Sequence, residues 1–269
     1  MPRYGYASVL LAVVFACVPA GAQEVAGDQS AELAKKLANP VASLISLPFQ
    51  YNYDSNFGPD DEGSKSLLNI QPVWPFSLGE KWNLITRTIV PVVSQKDIPS
   101  GNDQSGLGDI LQSFFFSPKD PIGGWILAVG PVMLYPTASD DALGGGKWGA
   151  GPTALALKQS GGWTYGMLLN HVSSFAGAED RSAFSNSFMQ PFLSYITKTK
   201  TTVGVNTESA YDWENKQWAV PVNLSLSQLL MMGGKPISLQ GGLKYWAESP
   251  EYGPEGVGFR FAVTFLFPK

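Results

Sequence analysis

The sequence predicts an all-β fold: a transmembrane, antiparallel, up-and-down β-barrel of about 12 strands that follows a short N-terminal helix. Three observations predict this fold. Extended segments recur along the chain, and each is close to the ~9–11 residues that a tilted transmembrane strand needs. The connections between these segments are alternately short and long. The chain also begins with a secretory signal and ends in a strand of alternating aromatic residues.

The N-terminus has the three parts of a secretory signal peptide. Arg3 precedes an apolar run over residues 7–19, and Ala20-Gly21-Ala22 forms a small-residue cleavage site. The run is shorter than the roughly 20 apolar residues of a membrane-spanning helix. The chain therefore divides into a signal peptide at 1–22, a periplasmic N-terminal segment at 23–42 and an outer-membrane β-barrel at 43–269.

The periplasmic segment contains the predicted helix. Residues 30–38 form an amphipathic pattern, with Ser30 as a candidate N-cap and Asn39-Pro40 as the stop. A helix that precedes the barrel is one interpretation, and a frayed terminal segment is the other.

Composition excludes several functional classes. Cys17 is the only cysteine and lies in the signal peptide, so the mature chain has no disulfide framework and no thiolate metal site. The formal net charge of −4 gives no sign of the basic patch that nucleic acid would require. We predict no cofactor and no nucleic-acid partner.

Twelve extended segments follow, separated by clusters of Gly, Pro, Asn and Asp. They cover residues 44–54, 66–76, 82–95, 108–117, 125–136, 149–159, 163–175, 187–197, 202–213, 218–231, 237–247 and 257–267. The connections after the even-numbered segments are short, and the others are longer and more polar, except 214–217. Short periplasmic turns and long outer loops are typical of outer-membrane barrels, which have an even strand count and both termini in the periplasm. A soluble β-protein has no reason to keep this parity.

Aromatic residues support the same orientation. One group lies beside the short turns: Trp74, Phe76, Trp82, Phe114, Phe116, Trp125, Trp163 and Phe267. A second group lies near the long loops: Tyr51, Tyr53, Tyr135, Phe175, Tyr211, Trp218 and Tyr245. Two belts of amphipathic rings are expected at the two interfaces of a membrane barrel.

Residues 258–267 of the last segment alternate strictly between two faces. Phe259, Phe261, Val263, Phe265 and Phe267 share one face, while Arg260 and Thr264 lie on the other. This strand resembles the C-terminal signal that the outer-membrane barrel assembly machinery recognises, although Pro268 and Lys269 follow the last aromatic residue. We predict that machinery and outer-membrane lipid as partners.

Polar residues on the second face of the strands are predicted to line the lumen, because a charge facing lipid at mid-depth costs ~2–4 kcal/mol. The candidate lining residues are Asp54, Asn69, Gln71, Arg87, Asn206, Glu208, Asp212, Gln240, Lys244 and Arg260. Segments four to eight alternate less cleanly. The mixed charges have two interpretations: a structural network that fills a narrow barrel, or a lining that selects a polar or weakly charged solute.

Four stretches resemble a large family of bacterial outer-membrane barrels: residues 130–152, GPVMLYPTASDDALGGGKWGAGP, residues 206–214, NTESAYDWE, and the shorter runs at 106–109 and 245–250. Members of that family carry labels such as transporter, MetA pathway of phenol degradation or, wrongly, neuromedin U. The resemblance implies an outer-membrane barrel that passes small molecules, aromatic or hydrophobic ones among them. It implies no catalytic residues.

Two alternatives stay open. His171, the only histidine, lies two residues before Ser173 on a predicted lipid-facing strand face. This arrangement is similar to the His-x-Ser pair of the twelve-stranded outer-membrane phospholipase A family, but Ser174-Phe175 replaces the expected Asn-Gly. The second alternative is a plugged barrel with a structural role. Separately, Asp140 and Asp141 offer oxygen ligands to a divalent cation or belong to a solvated loop.

Overall fold

The computed structural model describes residues 26–99 and 101–268, so the predicted signal peptide at 1–22 lies outside the described residues. One helix and fifteen strand segments are present in the described part, and the segments form twelve barrel strands because three strands are each interrupted once. The elements are α1 (Ala26–Leu37), β1 (Ile45–Phe57), β2 (Gly63–Ile70 and Val73–Leu78), β3 (Trp82–Lys96), β4 (Gln104–Leu107 and Ile110–Pro118), β5 (Trp125–Tyr135), β6 (Lys147–Ser160), β7 (Trp163–Gly177), β8 (Ser185–Ile196), β9 (Thr201–Thr207 and Ser209–Asp212), β10 (Gln217–Met232), β11 (Lys235–Glu248) and β12 (Val257–Phe267).

The strands form a closed, antiparallel, up-and-down barrel. Each strand pairs with its neighbours in sequence, and β12 closes the ring on β1 in a register that runs from Ile45 opposite Phe267 to Tyr53 opposite Phe259. Every predicted segment corresponds to one barrel strand. Proline accounts for two interruptions: Pro72 interrupts β2, and β9 breaks at Glu208 beside Pro191 and Pro221, which have no N–H to donate.

Connection lengths alternate as predicted, which defines a short-turn end and a long-loop end of the barrel. The turns β6–β7 and β10–β11 consist of Gly161-Gly162 and Gly233-Gly234, all with positive φ. Two-residue turns of this conformation match the twist of the flanking strands, and glycine adopts it without strain. The long-loop end carries the connections over 97–103, 136–146, 178–184 and 249–256.

The outer surface of the barrel is apolar. Exposed side chains include Tyr51, Leu169, Val205, Leu224 and Phe261, which alternate along their strands with residues that face the lumen. Aromatic side chains pair across strands near both ends; Trp163 and Tyr195 at the short-turn end have ring centroids 4.7 Å apart, and Tyr211 and Trp218 at the long-loop end 4.8 Å apart. An apolar exterior over a partly polar interior is the arrangement of a membrane barrel.

The helix α1 is docked at the short-turn end. Ala34, Ala42 and Leu44 are buried there against Leu229 of β10 and Leu266 of β12. This packing rules out the alternative that the predicted helix is a frayed terminal segment. The predicted N-cap at Ser30 was wrong, because the helix already includes Ala26 and Ser30 lies inside it. Within the described residues, no helix is long and apolar enough to cross a membrane.

The short-turn half of the lumen contains an apolar core. Val41, which follows the helix, packs with inward-facing Ile85, Phe115, Leu157 and Leu168, all nearly inaccessible to solvent. Polar and apolar residues alternate poorly along β4 to β8, because these strands are apolar on both faces, one toward lipid and one toward this core.

Candidate functional site

The polar part of the site lies in the lumen, in the long-loop half. Lys244 of β11 and Asp54 of β1 form an ion pair with Nζ and Oδ2 2.8 Å apart, and both side chains are more than nine-tenths buried. The indole N–H of Trp246 donates to the other carboxylate oxygen at 2.9 Å. Sequence reasoning missed Trp246, because an aromatic residue at the rim of a barrel normally indicates an interface belt.

The Asp54–Lys244 pair passes over β12, which lies between the two strands. The residue of β12 at that level is Gly258, which is paired with Lys244. A Cβ at Gly258 would lie 2.4 Å from Oδ1 of Asp54. A glycine is therefore required for the pair to form across the intervening strand.

A second ion pair crosses the lumen. Arg260 of β12 donates through Nη1 and Nη2 to the two oxygens of Glu208 of β9, at 2.8 and 2.7 Å. Its Nε donates to Asn52 of β1 at 2.8 Å. On β11 the residue opposite Arg260 is Gly242, which leaves room above the strand. The bidentate geometry makes this a strong, directional pair.

Amide groups extend this layer. The Asn223 amide donates to Asn206 at 2.9 Å, and Gln190 contacts Glu208 at 3.5 Å. Among the described residues, the Oδ1 atom of Asn223 is a buried acceptor without a hydrogen-bond partner. Buried polar groups of this kind usually contact water or a ligand.

Arg87 of β3 lies nearer the short-turn end than this layer. Its guanidinium donates to the Oε1 atom of Gln71 at 2.7 Å. Both residues line a lumen cavity of about 310 Å³, together with Gln240 and Asn206. The cavity is bounded at the short-turn end by α1 and the segment that follows it, including Leu37.

The structure thus brings seven predicted residues into four side-chain contacts, and one more to the cavity wall. Asp54–Lys244 and Glu208–Arg260 are direct ion pairs. Arg87 donates to Gln71, Asn206 accepts from Asn223, and Gln240 lines the cavity. The other two are separate. Asn69 lies on β2 opposite Gln50, and Asp212 ends β9, where its carboxylate accepts from the backbone of 214 and 215. The role of all ten residues as the lining of a solute passage stays a prediction.

His171 and Ser173 lie on the outer face, near the long-loop end of β7. The Oγ atom of Ser173 is 3.0 Å from Nε2 of His171, and Nδ1 of His171 is 2.9 Å from the Ser187 hydroxyl. The indole N–H of Trp213 donates to the same hydroxyl at 2.9 Å. A serine, an imidazole and a further hydroxyl are therefore in a continuous hydrogen-bonded chain.

The acidic loop at the long-loop end is held by internal contacts. The Asp140 carboxylate accepts from the Ala142 N–H at 2.8 Å and caps the turn over Asp141–Leu143. Arg181 donates to the carbonyl of Asp141 at 2.7 Å and also to that of Gly144. In the described part of the chain, no group of three or more His, Cys, Asp or Glu side chains is arranged to hold a metal ion.

Comparison with known proteins gives a likeness of fold. No family model and no curated protein matches the sequence, so the resemblance to the transporter family of the MetA pathway stays a prediction. Among solved structures, the COG4313 outer membrane channel from Pseudomonas putida F1 is similar, with a TM-score of 0.65, 13% identity, and coverage of 84% of this chain and 96% of that one. The NanC porin has a TM-score of 0.51 and 12% identity over 82% of this chain and 98% of that one. The outer membrane phospholipase from Salmonella typhi has a TM-score of 0.50 and 11% identity over 91% and 99%.

Fold and surface together define the class of this protein: it is a twelve-stranded transmembrane β-barrel of the bacterial outer membrane. The predicted fold class and localisation are confirmed.

Proposed function

We propose that the protein is a channel that passes small molecules across the outer membrane, aromatic or hydrophobic ones among them. The observation that carries this proposal is the lumen cavity of about 310 Å³, which lies inside a closed barrel between the ion-pair layer and α1. A passage for solutes requires open space inside the barrel, whereas a purely structural barrel can be filled completely by side chains. One solved barrel of similar fold is an outer membrane channel, which agrees with this proposal.

The residues suggest how a solute would be selected. The cavity wall combines amides and hydroxyls such as Gln240 and Ser225 with apolar groups such as Phe192 and Val73. Toward the long-loop end the solute would pass Glu208 and its bound guanidinium. Charged side chains that line the path of a solute control which ions enter.

Single-channel conductance of the purified barrel in planar bilayers tests this proposal. We expect discrete current steps, and in Glu208→Gln a shift of ion selectivity toward anions, because the change removes a lumen carboxylate and leaves Arg260 charged. Lys81→Gln is the matched control, since Lys81 is exposed in a short turn and its charge lies outside the lumen. A silent bilayer, or current steps whose selectivity Glu208→Gln does not change while stability falls, would favour the structural network and the plugged barrel instead.

One observation favours a second function, a lipid hydrolase on the outer face. Ser173 is within hydrogen-bond distance of His171, as a serine nucleophile and its general base would be. Ser187 on the other ring nitrogen would hold the imidazole in one orientation. Release of fatty acid from phospholipid vesicles that is lost in both His171→Ala and Ser173→Ala would establish this activity. Ser185→Ala is the control, since this neighbouring hydroxyl contacts Ser173 at 3.1 Å; absence of release from the unaltered barrel excludes the activity.

A further inference from the structure

The lumen cavity contains a cation that forms no ion pair with a carboxylate of the described chain. Glu208 acts on this cation from beyond ion-pair distance, and both oxygens of Glu208 are bound by Arg260. Among the cavity-lining residues, Arg87 and Lys36 are basic and none is acidic. Lys36 forms an ion pair with Glu32 at 2.7 Å. Arg87 donates to the neutral amide of Gln71, and in the described part of the chain no carboxylate oxygen lies within 4.0 Å of its guanidinium.

Two other lumen cations, Arg260 and Lys244, differ from Arg87 in this respect. Arg260 has both oxygens of Glu208, and Lys244 has Asp54. A guanidinium held away from bulk water without a direct ion-pair partner is unfavourable, so structures normally place an opposite charge in contact with it. At Arg87 the open space next to the guanidinium is the cavity itself, where a counter-ion from solution would fit.

The cavity walls indicate what kind of anion would fit. Gln50 and Gln240 add amide groups to the same cavity wall, while Val73, Phe192 and Leu44 offer apolar surface. A purely inorganic anion would leave the apolar wall without contacts, and a neutral apolar molecule would leave the guanidinium uncompensated. A volume of about 310 Å³ lies at the small end of ligand pockets, which measure ≈ 300–1,000 Å³.

We propose that the cavity binds small amphiphilic carboxylates, with the carboxylate on the Arg87 guanidinium and the apolar body against Phe192 and Val73. The planar fork of arginine matches a carboxylate with two parallel hydrogen bonds. This inference rests on the proposed function, because it names the class of solute that would occupy the passage.

Three probes of similar size test the charge requirement on the unaltered full barrel. Phenylacetate, 2-phenylethanol and 2-phenylethylamine share one aromatic body and carry an anionic, a neutral and a cationic end at neutral pH. Isothermal titration calorimetry of the detergent-solubilised barrel should show phenylacetate binding about 10-fold to 100-fold more tightly than the other two, the range expected for charge-assisted hydrogen bonds. Binding of all three within about twofold of one another, or of none, overturns the proposal.

Two substitutions assign the preference to the residue. Arg87→Gln should lower phenylacetate affinity about 10-fold or more and leave 2-phenylethanol within about twofold, because only the anion loses its partner. Arg87→Lys should restore part of the preference, since the charge returns without the fork. Lys81→Gln, an exposed charge removed from a short turn, should change nothing. A phenylacetate preference that persists in Arg87→Gln contradicts the assignment, and if that variant does not fold, the three-probe comparison on the unaltered barrel still decides.

Binding and passage are measured separately, which keeps the two proposals distinguishable. Uptake of the same three probes into proteoliposomes reports passage. Uptake without a preference for phenylacetate, together with equal binding, refutes the carboxylate proposal and leaves the channel. Selective binding without uptake supports the carboxylate site and refutes the channel.

Discussion

The Lys244–Asp54 pair allows a quantitative test of how buried charge stabilises this barrel. Both side chains are over nine-tenths buried, with Nζ and Oδ2 2.8 Å apart. Removing one partner of a buried pair costs about 3–5 kcal/mol, because the other charge stays buried without compensation. Lys244→Met should therefore lower the free energy of unfolding by about 3 kcal/mol, the low end of that range, because the Trp246 indole still donates to Asp54.

The double variant distinguishes the cost of an unpaired buried charge from the simple loss of contacts. Replacing both residues, Lys244→Met with Asp54→Leu, removes both charges and both desolvation costs, so its unfolding free energy should return to within about 1–2 kcal/mol of the unaltered barrel. The coupling energy of the resulting cycle is then at least about 2 kcal/mol. The exposed pair Glu32–Lys36 is the control, and Lys36→Met should cost at most about 0.5 kcal/mol.

The measurement is urea unfolding of the barrel in lipid vesicles, followed by tryptophan fluorescence and by the mobility shift of the folded form on gels. Each unfolding free energy comes from the linear dependence on urea. The reasoning is refuted if Lys244→Met costs less than about 1 kcal/mol, or if the double variant loses the sum of the two single effects.

Two further predictions concern backbone approach and helix docking. Gly258→Ala should destabilise the barrel by about 2–4 kcal/mol in the same urea assay, because the added Cβ would lie 2.4 Å from Oδ1 of Asp54. Gly241→Ala is the control, since a Cβ at this position meets nothing within 4 Å, and it should change stability by less than about 1 kcal/mol. Ala34→Glu should release α1 and increase single-channel conductance, because it places a charge in a contact that is 3% exposed. The control is Lys35→Glu, at an exposed position of the same helix, which should leave conductance unchanged. An unchanged conductance in Ala34→Glu would show that α1 does not restrict the passage.

The strand number, the connection lengths and the direction of most side chains follow from the sequence alone. These are local properties: alternation of period two, glycine and proline at turns, and aromatic residues at interfaces act over a few residues each. For this reason β12 was predicted with its observed bounds, and each of the other strands to within a few residues at most positions.

Prediction from the sequence was weaker where contacts between distant segments decide the structure. Inward-facing Phe115 and Leu157 are apolar because they meet Val41 and one another inside the barrel. No pattern within β4 or β6 indicates that a segment from before β1 fills that space. The helix start was misplaced for a similar reason, since docking on Leu229 and Leu266 stabilises α1 whatever its cap.

The sequence by itself determined the direction of most side chains, and only the tertiary structure decided which of the inward-facing ones meet. Asp54 and Lys244 are 190 positions apart in the chain, and Asn52 and Arg260 are 208 apart. Their contacts depend on the stagger between strands around the closed barrel and on the absence of a side chain at Gly258, and neither follows from the alternation within one strand. Arg87 illustrates the same division: its inward direction is a property of β3, whereas its lack of a carboxylate partner is a property of the assembled lumen.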